Sequence, residues 1–299
     1  MKFPFDQYPT LVVHISNQCN QKCRFCFKQA DFWGRDSITL DDLDALIKKG
    51  IAEYRVKGIW FGGGEPLLYD SLNKAVELVR QNKLQVLMTT NGLLLPDSQE
   101  FKKIIDKVDV LLVSLHSHIP EVHNHLVGNN DSFPQVMRTL GYLNENKRKF
   151  VINCVCTAGN YKLLPEFAEK VFSDFQSLMG LQILSLKYKG RLLDNKDIRV
   201  KLSRVVPYLK AMDSISRKKN LNIALRDFPL CLAPYDITAP RYPENYIGYV
   251  KNGKYIIDSI IAKDRVYPEK CRGCKLLTKC SGVDINYIKI EGVEELTPL

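Results

Sequence analysis

The chain has 299 residues, 45% hydrophobic and 25% charged, which predicts an ordinary globular protein with a sizeable core and excludes a disordered or fibrous one. Forty-three Lys and Arg against 33 Asp and Glu give a net charge of +10. The basic residues are scattered, with short clusters only at Lys147-Arg148-Lys149 and Arg217-Lys218-Lys219 and no nucleic-acid motif beside them. A Lys-rich solvated surface is therefore expected, and nucleic acid is not an expected partner. The N-terminus lacks an apolar signal region and no apolar run reaches membrane length, so a cytoplasmic chain without a membrane partner is expected.

In chain order, strand-like apolar runs fall at residues 10–15, 58–61, 85–90, 109–115, 150–157 and 181–187. Helical patterns lie between them, at 40–54, 71–81, 98–106, 133–145 and 163–175. In the first helix Leu43, Leu46, Ile47 and Ile51 recur at helical spacing after a Thr39 cap. Strands alternating with helices imply crossover units, a parallel sheet and an α/β fold. Six such units predict a partial (β/α)6 barrel with its site on the loops after the strands. After Gly190 the texture changes: a long helix at 200–219, short strands at 223–228, 246–250 and 255–260, and a hairpin turn signalled by Asn252-Gly253. Residues 1–195 are thus expected to form the barrel, and 196–299 the long helix and a small Cys-rich α+β lobe.

Nine cysteines without an export signal argue for reduced thiols that bind metal rather than for disulfides. Cys19, Cys23 and Cys26 place three thiols in eight residues just after the first strand. A zinc site usually takes four ligands; three in one loop suit a [4Fe–4S] cluster with one iron left open. A reactive or zinc-binding triad is the competing reading. Gly62-Gly63-Gly64-Glu65-Pro66 follows the second strand, where glycines permit close backbone approach and a carboxylate can accept from an ammonium. Thr89-Thr90-Asn91-Gly92 ends the third strand, Ser114-Leu115-His116 the fourth, and Asn153 lies on the fifth.

The C-x3-C-x2-C run with Phe25 before its third cysteine resembles the radical SAM superfamily, and the resemblance extends over the first 190 or so residues. It implies an iron–sulfur enzyme that cleaves S-adenosylmethionine (SAM) reductively and abstracts hydrogen from a substrate through a 5′-deoxyadenosyl radical. By the same resemblance Phe25 packs beside the adenine. Gly63, Gly64 and Glu65 hold the SAM amino group, and Asn91, Ser114 and Asn153 face the SAM cavity. His116 stands where the family usually has Asp. A flavodoxin- or ferredoxin-type electron donor is implied as a partner.

Cys271, Cys274 and Cys280 form a second triad that Cys231 could complete. By spacing alone zinc competes with an iron–sulfur cluster. The segment is similar to Twitch and SPASM domains, which carry auxiliary [4Fe–4S] clusters. Asp284 stands where a full SPASM pattern has another cysteine, so one auxiliary cluster is expected. That similarity points to a ribosomally made peptide as substrate. The first strand begins by Thr10, so a separate leader-binding protein is expected as a further partner. A small-molecule substrate and a non-catalytic iron–sulfur or zinc module remain the alternatives. Cys154 and Cys156 share one face of a strand; they are either packing residues or, as in some epimerases, hydrogen-atom donors.

Overall fold

A computed structural model of the chain describes residues 3, 6, 8–31, 37–95, 97–234, 236–238, 245–251, 254–259 and 264–299. Six strands run parallel: β1 (Thr10–Ser16), β2 (Gly58–Gly63), β3 (Gln85–Thr90), β4 (Val110–Ser114), β5 (Phe150–Val155) and β6 (Leu178–Leu184). Between them come α1 (Leu40–Tyr54), α2 (Leu72–Gln81), α3 (Gln99–Ile105), α4 (Pro120–Val127), α5 (Ser132–Glu145) and α6 (Leu164–Asp174). The expected α/β series is therefore present, with α4 as an addition. That short helix opens on Pro120 and closes on Gly128, and its eight residues carry too little apolar periodicity to be read from sequence.

Local chemistry sets the helix ends. Thr39 caps α1 by accepting from the Asp42 N–H at 3.1 Å, Asp41 and Asp42 complement the helix dipole, and Leu43, Leu46, Ile47 and Gly50 form the buried stripe. Burying each such leucine or isoleucine stabilises by about 1.5–3 kcal/mol.

The sheet also draws on residues beyond 195. After α7 (Leu202–Lys219), β7 (Ile223–Arg226) pairs parallel to β6; at the other edge β8 (Asn245–Lys251) pairs parallel to β1, and β9 (Lys254–Ser259) returns antiparallel to β8. Among the described residues the sheet has nine strands in the order β7-β6-β5-β4-β3-β2-β1-β8-β9. Asn252 and Gly253, which signalled the hairpin turn, lie outside the described residues. The last elements are a two-stranded pair, β10 (Arg265–Val266) with β11 (Val283–Asp284), and α8 (Ile285–Glu291).

The two sheet faces differ. The helix-facing side is dry: Leu11, Val13, Ile59, Phe61, Leu111, Val113, Ile152 and Ile183 are all buried in one core cluster. The other side is packed only at its lower end, where Phe3 joins Leu87, Val110, Leu112, Val151 and Ala224. Buried Arg226 clamps that end, sitting over the Phe3 ring and donating to both Asp6 carboxylate oxygens at 2.9 and 2.7 Å. Towards the strand C-termini the same face holds Val12, His14, Trp60, Gly62, Thr89, Ser114, Val155 and Leu184, all only half-buried. This leaves an open cavity where the parallel strands end.

Candidate active site

The loop after β1 carries Cys19, Cys23 and Cys26, and neighbouring elements hold it on several sides. The Cys19 N–H donates to the Asp31 carbonyl at 2.7 Å, and the Cys26 N–H donates to the Cys23 carbonyl at 3.1 Å. From the loop after β6, Arg191 donates to the carbonyls of Cys23 at 3.0 Å and Ala30 at 2.7 Å. Arg24 makes a two-oxygen pair with Asp197 at 2.9 and 2.8 Å. Beneath, Gln21 donates to the Ser132 hydroxyl at 2.7 Å, which lies 3.0 Å from Nε2 of buried His123. His123 Nδ1 accepts from the His116 N–H at 3.2 Å, so its ring is oriented from both sides. Gln21, His123 and Ser132 had no signal in the sequence; their role comes from contacts made across the chain.

Burial raises the Cys19 thiol to about 11 and pushes Cys23 up further, and the neighbouring thiols add to both shifts. Three thiols crowd one another in a loop whose backbone is already fixed, a donor set suited to a metal cluster that takes them as thiolates. Among the described residues no three Cys, His, Asp or Glu side chains meet the spacing of a single-ion site.

The Gly62–Pro66 turn packs directly on this loop. The Gly64 N–H donates to the Ser16 carbonyl and the Glu65 N–H to the Gln18 carbonyl, both at 2.7 Å. A Cβ on Gly64 would lie 2.0 Å from the Gln18 oxygen, and Gly63, at φ +116°, would meet the Ser16 oxygen at 2.5 Å. These glycines therefore permit two loops to approach each other, a reason the sequence reading had assigned to a ligand.

Glu65 is fully buried. Its carboxylate accepts from the Thr90 hydroxyl at 2.8 Å, the Asn91 N–H at 2.7 Å and the Leu67 N–H at 3.1 Å. Burial nevertheless raises it to about 7, outweighing the three hydrogen bonds that favour the charged form. Asn91 links this group to the cysteines: its amide donates to Asn20 at 2.7 Å and lies 3.9 Å from the Cys19 sulfur.

On the cavity face, Ser114 and Asn153 are register partners on β4 and β5. Asn153 pairs in turn with Gln182 on β6, and both are buried with an unpartnered side-chain atom, Oδ1 of Asn153 and Nε2 of Gln182. Gln182 was not singled out in the sequence, although a glutamine inside the run Leu181–Leu184 was a signal. The Phe25 ring meets His116 edge-on at 4.7 Å between centroids. His116 is itself buried and neutral, its Nδ1 accepting from the Val155 N–H at 3.2 Å.

Cys154 and Cys156 sit elsewhere. Both are buried in the helix-facing core, on the face of β5 opposite Asn153, and burial pushes both thiols up. Asn160 donates to the His116 and Val155 carbonyls at 2.7 and 2.9 Å and accepts from the Thr157 N–H at 2.7 Å, which accounts for it as a structural residue.

The four remaining cysteines do come together. Cys231, Cys271, Cys274 and Cys280 line one small cavity with Leu230 and Gly282. The N–H groups of Leu230 and Gly282 each point at the Cys280 sulfur at 3.4 Å. Asp284 is a helix cap: its Oδ1 accepts from Asn286 and Tyr287 N–H groups at 2.8 and 3.1 Å.

The Radical SAM superfamily model matches residues 13–168, more than half of the chain. This protein belongs to the radical SAM superfamily. The chain is 24% identical over 208 residues to the Fe-coproporphyrin III synthase of Methanosarcina barkeri, covering 68% of this chain and 51% of that protein. It is 25% identical over 163 residues to a probable GTP 3′,8-cyclase of Methanocaldococcus jannaschii, 54% of each chain. The chain thus spans about half the length of these curated relatives. Among solved structures, Streptococcus suis SuiB bound to S-adenosylmethionine has the same fold, with TM-score 0.68 at 19% identity, over 94% of this chain and 74% of SuiB. SuiB is also known bound to its precursor peptide SuiA; that structure superposes with TM-score 0.58 at 22% identity, over 73% of this chain and 49% of SuiB. The α/β fold, SAM use and enzyme class expected from the motifs agree with these matches. Among the described residues no helix is long and apolar enough to cross a membrane.

Proposed function

We propose that this radical SAM enzyme modifies a side chain in a ribosomally made peptide, using a second, auxiliary [4Fe–4S] cluster for a net oxidation. The observation that carries this reading is the meeting of Cys231 with Cys271, Cys274 and Cys280 around one cavity. Four thiols separated by up to 49 residues of sequence offer complete coordination, which suits electron transfer rather than substrate ligation. The binding of SuiB to a precursor peptide supports a peptide substrate.

Cys19, Cys23 and Cys26 would hold the first cluster. When bound, that cluster supplies the single electron that cleaves the sulfonium bond of SAM and yields the hydrogen-abstracting radical. The chain's own residues do the rest. Glu65 would accept from the SAM ammonium, with Gly63 and Gly64 setting the turn that presents it. Phe25, whose ring packs edge-on against His116, would lie beside the adenine, and Ser114, Asn153 and Asn91 would line its approach. The dry sheet–helix core excludes water from below.

Cys231, Cys271, Cys274 and Cys280 would hold the auxiliary cluster, which would supply a one-electron acceptor, so that the overall change would be loss of two hydrogens from the substrate, one as an atom and one as an electron and a proton released to solvent. A flavodoxin- or ferredoxin-type protein supplies the initial electron, and a separate leader-binding protein would deliver the peptide. Cys154 and Cys156 are read as packing, since they face away from the cavity. Residues 196–299 would act as the auxiliary unit, although three of their strands complete the main sheet. A small-molecule dehydrogenase or epimerase is the second reading, favoured by the two curated relatives, whose names denote small-molecule chemistry.

The test is to incubate the reconstituted protein with short peptides encoded beside its gene, together with SAM and a reductant. Loss of two hydrogens from a peptide, absent in the Cys274→Ala protein, supports the proposal. Unchanged peptides, with turnover of a small metabolite instead, would contradict it.

A further inference from the structure

One row of the cavity wall is polar where its neighbours are not. On the cavity face Ser114, Asn153 and Gln182 lie side by side in register across β4, β5 and β6. The row beneath is Leu112, Val151 and Gly180, and the row above on β5 and β6 is Val155 and Leu184. Gly180 leaves no gap, because the Phe3 ring stands 2.5 Å from where its Cβ would be. The polar row is therefore a ledge resting on the apolar floor made by Phe3, Leu112, Val151 and Ala224.

Two atoms of this ledge are left over. Among the described residues, Asn153 Oδ1 and Gln182 Nε2 are buried without a hydrogen-bond partner, on residues 9% and 2% exposed. An apolar side chain in either place would continue the wall without that cost, so the fold alone does not account for them. One atom is an acceptor and the other a donor, on adjacent strands about 4.8 Å apart. A planar carboxamide matches the pair, giving an N–H to Asn153 and presenting its carbonyl oxygen to Gln182 from the same edge.

Depth separates Gln182 from the residues read as holding SAM. Ser114 ends β4, and Glu65 and Asn91 lie past the ends of β2 and β3. Asn153 and Gln182 each stand two residues short of their strand ends, about 7 Å down the wall. Asn153, next to Ser114, borders the cofactor's approach; Gln182, one strand further, does not.

We propose that Asn153 and Gln182 form a carboxamide-binding site at the cavity floor, which takes an H–N–C=O edge of the substrate. The inference rests on the peptide reading for the source of that edge, the side chain of a substrate Asn or Gln, and not for the site itself. Gln182 is then a specificity-determining residue: it anchors the amide at the floor and leaves the carbons next to it facing the cofactor.

The test uses the cluster-reconstituted holoprotein with saturating SAM. Binding of the labelled peptide Gly-Ala-Gln-Ala-Gly is compared with that of Gly-Ala-Met-Ala-Gly, and uracil, whose ring carries the same H–N–C=O edge, is the second probe. The Gln peptide is expected to bind the wild type about tenfold more tightly than the Met peptide. Gln182→Met removes that preference, keeps its affinity for SAM, and melts no lower than the wild type, since it deletes an unpartnered donor.

Uracil bound by the wild type and lost from Gln182→Met, with no Gln preference, supports the site and removes the peptide as its source. Equal binding of the two peptides, with uracil either unbound or unaffected by the variant, overturns the site and leaves the peptide reading standing. A lowered melting temperature in Gln182→Met also overturns it, because the amide would then serve the fold. So does a weakened SAM affinity, because the amide would then serve the adenine.

Discussion

The two cysteine regions are held by different parts of the chain. The N-terminal loop is held by the fold: Arg191, Arg24, Gln21 and the glycine turn each tie it to neighbouring elements. The C-terminal cysteines are held by side chains of their own region: Lys270 donates to the Val293, Glu294 and Leu296 carbonyls, Arg265 to those of Asp227, Ser281 and Gly282, and the Tyr267 hydroxyl to the Cys280 carbonyl. Cys271 and Cys274, like Cys19, Cys23 and Cys26, are partly exposed, and a Cβ added to Gly273 between them would meet nothing within 4 Å. The first set is tied to the loops at the ends of the main sheet, the second to the C-terminal segment around α8.

The largest effect that would break this contrast comes from the cysteines. Cys26→Ala should remove about four irons and all SAM cleavage while leaving the lobe's iron in place. Cys274→Ala should remove the other four while SAM cleavage persists. Iron analysis and 5′-deoxyadenosine assays on both proteins check this, and loss of all iron from either would show the sites to be interdependent.

Next comes the turn between the loops. Gly64→Ala forces a Cβ to 2.0 Å from a backbone oxygen and should cost about 3 kcal/mol, the upper end of overpacking. Gly273→Ala, strained only by its φ of +80°, should cost about 1 kcal/mol. Thermal melts of the two apoproteins compare them.

Glu65 sharpens the comparison through pH. Its folded pKa of about 7 exceeds the ordinary 4.5, so the native state holds a proton that the unfolded chain has released. Its contribution to apoprotein stability is therefore full below about pH 4.5 and lost as pH rises through 7. SAM affinity should move the other way, rising across the same window as the carboxylate ionises to meet an ammonium. Glu65→Gln should weaken SAM by roughly 10- to 100-fold and flatten both pH profiles, measured by calorimetry.

The smallest contrast concerns ion pairs. Arg24→Ala breaks a partly buried two-oxygen contact and should cost about 1 kcal/mol. Arg272→Ala breaks a fully exposed pair with Glu269 and should leave the melting temperature unchanged.

Much of this was legible in the sequence because it is local. Thr39 and the 43-46-47 stripe give α1, and Gly62–Pro66 gives the turn below Glu65. What escaped depends on distant partners. The pairing of β8 with β1 places a hairpin on the barrel edge, and no periodicity in residues 245–251 encodes that neighbour. The sequence reads Gly64 as permitting close backbone approach, but that the Gln18 carbonyl, 46 residues earlier, already leaves no room for a Cβ there is visible only in the fold.

The most direct test of the account is anaerobic reconstitution of the wild-type chain, followed by iron and sulfide analysis and addition of dithionite and SAM. About eight irons per chain with formation of 5′-deoxyadenosine is the predicted result. Four irons or fewer, with SAM left intact, would contradict a two-cluster radical enzyme.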